Sequence, residues 1–73
     1  MKHKLSTGYG AAAETAVCME RLHRYSDAAQ YWQMANHAAR TLVNQEWTAR
    51  RAAFCRVFGR RIELANKQAR RAA

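Results

Sequence analysis

Not one proline interrupts this 73-residue chain, and alanine recurs in runs at 11–13, 28–29, 38–39 and 52–53. Proline is the strongest helix breaker and alanine the strongest helix former, so the chain is driven toward helices along its length. β-branched residues are few and scattered, which leaves a sheet little to build on. The expectation is an all-α fold, and at this length a single domain. A core so thin is marginal on its own, which favours self-association.

The apolar spacing divides the chain into three helices. Residues 1–8 read as a loose polar lead-in. A first helix starts near Tyr9 or Gly10 and runs to about His23, with Tyr9, Ala12, Ala13, Ala16, Met19 and Leu22 on one face. After a break at His23-Arg24-Tyr25, Ser26 is the N-cap candidate for a second helix, with Asp27 in its first turn where negative charge suits the helix dipole. Its inner face reads Ala28, Tyr31/Trp32, Ala35, Ala38/Ala39 and Leu42, and it should end near Val43. Asn44 is the next cap candidate, with Glu46 following. The third helix places Trp47, Phe54, Phe58, Ile62 and Ala65 on one stripe, the most hydrophobic of the chain. Gly59 interrupts that stripe and either ends the helix or is tolerated at about 1 kcal/mol relative to alanine. The helical domain is therefore assigned to residues 9–59. A basic C-terminal extension covers 60–73, its last residues, 70–73, expected to be disordered.

The net charge of +8 is unevenly placed. Residues 1–47 carry a balance of +1 and residues 48–73 a balance of +7. A basic segment attracts nucleic acid, acidic protein surfaces or anionic membrane, and composition does not choose among them. The basic start is followed by no apolar leader segment, and no run approaches the ~18 apolar residues of a membrane span. Those features point to a cytoplasmic protein with Cys18 and Cys55 reduced. Catalysis finds no foothold. His3, His23 and His37 are isolated, none stands at metal-ligand spacing with Cys, Asp or Glu, and there are no paired carboxylates or glycine-rich phosphate loop. No enzyme activity, cofactor or metal is expected.

The most informative run is Glu20…Tyr25-x-x-Ala28-Ala29-x-x-Trp32-x-x-Ala35…Asn44-x-x-Trp47-x-x-x-Arg51-x-x-x-Cys55. Its first half resembles a single tetratricopeptide unit, with Tyr25 at the turn, Trp32 in the aromatic slot and small residues at Ala28 and Ala35. A lone unit cannot bury both its faces, so the third helix should cover one and a partner or second copy the other. The whole run, over residues 9 to 58, resembles the ANR family of AraC negative regulators. That resemblance implies direct binding to an AraC-type transcription activator, blocking its dimerisation or DNA binding. It also implies a nucleoid-structuring protein as a further partner. A more distant likeness is to PerC-type activators, which share an alanine–tryptophan hairpin.

Several residues carry two readings. Trp32 and Trp47 both fit a core, since aromatics at helical spacing usually pack inside. In the alternative, one is a contact on a partner surface, where tryptophan is enriched. Trp47, beside the loop, is the better placed, with Tyr31 second. Trp47, Arg51 and Cys55 line one strip of helix at spacing four. Arg51 can stack on Trp47 through a cation–π contact or pair with Glu14 or Glu20. Cys55 reads as a small buried residue. The set Arg50, Arg51, Arg56, Arg60, Arg61, Lys67, Arg70 and Arg71 is a solvated face, a surface for an acidic protein, or a contact to nucleic acid. The candidate partner-binding residues are Tyr31, Trp47, Arg50, Arg51 and Arg56.

Overall fold

A computed structural model describes residues 8–72. It contains three helices, α1 (Tyr9–Arg21), α2 (Tyr25–Ala38) and α3 (Leu42–Ala72), and no strand among the described residues. The all-α expectation holds. Apart from Gly8, the expected lead-in lies outside the described residues, as does Ala73.

α2 is the middle layer and packs against both α1 and α3. The α1–α2 turn is a Schellman motif. The Arg24 N–H donates to the Met19 carbonyl (2.8 Å) and the His23 N–H to that of Glu20 (2.9 Å), which satisfies the carbonyls left open at the helix end. His23 takes the left-handed conformation that usually falls to glycine there, with φ 60. The expected Ser26 cap is corrected. α2 begins at Tyr25, preceded by Arg24, with no side-chain cap. Arg24 instead pairs with Asp27 in the first turn (2.8 Å). Ser26 donates its hydroxyl across to Glu63 of α3 (3.2 Å).

The second turn also departs from the sequence reading. α2 stops at Ala38, and Ala39 turns extended. The cap of α3 is Thr41, whose Oγ1 accepts from the Asn44 N–H (3.1 Å). Asn44 is therefore inside α3, and Leu42, expected on the inner face of α2, opens α3 exposed. Asn36 secures the corner by donating to the Gln45 carbonyl (2.8 Å) and to the Thr48 hydroxyl (3.0 Å).

α3 runs unbroken through Gly59 to Ala72, so the helix does not stop at Gly59, and residues 70–72 of the stretch expected to be disordered are helical. Its buried face is not the aromatic stripe. Thr48, Ala52, Cys55 and Gly59 are buried, while Trp47, Phe54 and Phe58 are exposed. The reason is the alanine lining opposite. The core consists of Ala12 and Ala16 from α1, Ala28, Ala29, Trp32 and Ala35 from α2, and Ala52 and Cys55 from α3. Such small residues let helix backbones approach closely, and only another small face fits against them. Trp32 is the single large side chain in this layer, 2% exposed.

Candidate functional site

Four residues of the Glu20–Cys55 run meet at one carboxylate. Glu20 sits in the last turn of α1, Trp32 in the middle of α2, and Arg51 and Cys55 one turn apart on α3. The Trp32 indole Nε1–H donates to Glu20 Oε2 at 2.7 Å. Arg51 donates through Nε to Oε2 (2.9 Å) and through Nη2 to Oε1 (2.7 Å), a two-pronged clamp. The Cys55 thiol points at Oε2 from 3.2 Å. One carboxylate therefore ties all three helices together, and Arg51 pairs with Glu20 rather than Glu14. The pair is largely shielded, with side-chain exposures of 31% for Arg51 and 15% for Glu20.

The electrostatics follow from the geometry. The Arg51 hydrogen bonds hold the Glu20 carboxyl below its ordinary range, against the opposing pull of burial. Glu20 in turn raises Arg51. Burial, reinforced by the adjacent Glu20 carboxylate, pushes the Cys55 thiol up to about 12. Cys18 is exposed and Cys55 buried, both as free thiols. At pH 8 a thiol reagent should modify the exposed Cys18 at once and the buried Cys55 far more slowly, because the thiolate is the reacting species and burial disfavours it. Thiol counting before and after denaturation checks this, and equal rates would contradict the buried placement of Cys55.

Above this node lies an open groove of about 850 Å³ between α1 and α3. Ala13, Val17, Cys18 and Arg21 form one wall, Trp47 and Arg51 the other, and Trp32 lies between them. Trp47 stands edge-on to Trp32, ring centroids 6.1 Å apart at 83°, and stays 50% exposed. Of the two expected core tryptophans, only Trp32 is buried. The Arg51 guanidinium lies 5.9 Å from the Trp47 ring and 4.6 Å from that of Phe54. The ion pair and the aromatic contact thus coexist.

The five expected partner-binding residues do not form one patch. Trp47 and Arg51 line the groove. Tyr31 is half-buried against the core. Arg50 is exposed on α3, and Arg56 lies with Arg60 beside Gln30 and Gln33 of α2. Among the motif residues, Tyr25 packs edge-on against Phe58 (4.9 Å), and Ala28, Ala29 and Ala35 are buried. Asn44 accepts the Thr48 hydroxyl on its carbonyl (2.7 Å). Sequence reasoning missed Asn36 and Thr48. For Thr48 a signal existed, the small-residue spacing Thr48, Ala52, Cys55, Gly59; for Asn36 none did.

The chain matches no family model, and no curated protein or solved structure is measurably similar to it. Among the described residues, no group of three or more His, Cys, Asp or Glu side chains is placed to hold a metal ion. No described helix is long and apolar enough to cross a membrane.

Proposed function

We propose that this protein is a non-catalytic cytoplasmic regulator that binds an AraC-type transcription activator and blocks its dimerisation or DNA binding. The family part of this reading rests on the quoted residues alone. The observation that supports it most is the division of labour within the Glu20–Cys55 run. Glu20, Trp32, Arg51 and Cys55 are occupied with holding three helices together, whereas Trp47, in the same run, stays half exposed at the lip of an apolar groove. A rigid, partly exposed tryptophan beside an arginine is the composition of an interface anchor. The basic α3 would steer the encounter with an acidic surface. The nucleoid-structuring protein would be a second partner of the same kind.

Titration of the purified protein against such an activator tests the reading. Binding is expected at micromolar concentration, and Trp47→Ala should weaken it at least about 30-fold, the equivalent of about 2 kcal/mol. Absence of binding would sink the proposal. A second reading, direct binding of DNA, with the PerC-like sign of regulation as one of its forms, is favoured by one feature. Beyond Glu63 the described side chains of α3 are all exposed, and they include Lys67, Arg70 and Arg71. That reading requires DNA affinity that falls steeply with salt. A shift unaffected by salt removes it.

A further inference from the structure

α3 has a second periodicity, apart from its small-residue face, and one of its members, Trp47, also touches Trp32 of α2 edge-on. Val43, Trp47, Phe54, Val57 and Leu64 follow one another at alternating intervals of three and four, once Arg50 and Arg61 are counted in the two intervening places. That is a heptad seam carried through three repeats. The five apolar side chains are between 45% and 74% exposed. An exposed aliphatic and aromatic row of this length is unusual on a lone chain. The core of the protein does not use it, because Thr48, Ala52, Cys55 and Gly59 occupy the other side of the helix.

We propose that α3 pairs antiparallel with α3 of a second copy of this chain along this seam. The match of the seam with itself selects the occupant, and the charges select the direction. A parallel pair would set Arg50 against Arg50, Arg61 against Arg61, and the basic ends with Lys67, Arg70 and Arg71 side by side. An antiparallel pair sends those ends to opposite extremes of the dimer, well beyond the screening length of about 10 Å.

One antiparallel register pairs every seam position but Leu64. With the two-fold axis level with Ala52, Trp47 meets Val57 of the second copy, Arg50 meets Phe54, and Val43 meets Arg61. Each seam arginine then lies along an apolar neighbour, with its stem buried and its head free to reach water. Arg50 gains an aromatic face. On the flank, Glu46 comes opposite Arg60 of the second copy, the pairing that sets orientation in coiled coils. The α1–α2 hairpins lie on the outer sides of this dimer, and Trp47 is shared between the groove wall and the seam.

Sedimentation of the full chain, with the cysteine variants made in a Cys18→Ser background, tests the pairing. The protein should sediment as a dimer at micromolar concentration, and Val57→Glu should convert it to a monomer with unchanged helical circular dichroism. In the proposed register the two copies of Ala53 lie only about 3 Å apart along the helix axis. Ala53→Cys should therefore form a disulfide-linked dimer under mild oxidation. Val43→Cys should not, because its two copies stand about 27 Å apart at 1.5 Å per residue. A monomer in sedimentation, a dimer insensitive to Val57→Glu, or cross-linking through residue 43 instead of 53 would each overturn the proposal.

Discussion

Glu20→Ala should lower the unfolding free energy by about 3 kcal/mol, a large share of the roughly 4–11 kcal/mol a domain of this size has at its disposal. The carboxylate accepts from Trp32, twice from Arg51, and from the Cys55 thiol. Removing it leaves a buried indole N–H and a partly buried guanidinium without their acceptor. Breaking a fully buried pair typically costs 3–5 kcal/mol. Here Arg51 can turn partly toward water, which places the effect at the low end. Glu20→Gln keeps the shape and one acceptor oxygen and should lose less. Urea unfolding followed by circular dichroism gives the comparison, and an Ala variant as stable as the parent would mean that the three helices do not depend on this node.

The same node makes a pH prediction with a definite sign. Arg51 holds the Glu20 carboxyl below its ordinary value when the chain is folded. The unfolded chain therefore takes up this proton first as the pH falls. The stabilisation is present above the ordinary carboxylate value of about 4.3 and is lost as pH drops through the folded value. In Glu20→Gln that part of the acid destabilisation should be missing.

The helical content and the grouping of the motif were legible because they are local. Alanine runs and the missing proline fix helix, and spacings of three and four put Trp47, Arg51 and Cys55 on one strip. The contest over Arg51 was legible too, as far as a choice between Glu14 and Glu20 for its acidic partner. The turns were not. Thr41 and Asn44 are both competent caps, and the choice between them is made by Asn36, which clasps Gln45 and Thr48 from another helix. The inner face of α3 was misread for a related reason. Hydrophobicity ranks Phe54 and Phe58 above Ala52 and Gly59, but the surface opposite is made of alanine and admits only small residues. Packing distance, which no single helix encodes, decides which stripe goes inside. The aromatic stripe is then left at the surface, where it becomes available for association.

Gly59→Val should cost about 3 kcal/mol of stability. On an isolated helix the loss of a glycine is a gain, worth up to about 1 kcal/mol for alanine. At residue 59 a Cβ would stand 3.0 Å from the Tyr25 Cβ, 3.4 Å from the Ser26 nitrogen and 3.5 Å from the Tyr25 carbonyl carbon. Two of those three atoms are backbone and cannot step aside. Alanine should therefore forfeit its usual gain and leave stability near the parent value. Valine adds two further methyl groups to a contact already full, and overpacking of that kind costs 1–3 kcal/mol before its lower helix propensity is counted. The strain has one outlet, a shift of α3 away from the start of α2. That shift would pull apart the Tyr25–Phe58 edge contact and the Ser26–Glu63 hydrogen bond. Hydrogen exchange should accordingly quicken first at the amides of the first turns of α2, while those of α1 keep their protection. A valine variant as stable as the alanine one would show that α3 and α2 do not touch at Gly59, and the small-residue face of α3 would lose its explanation.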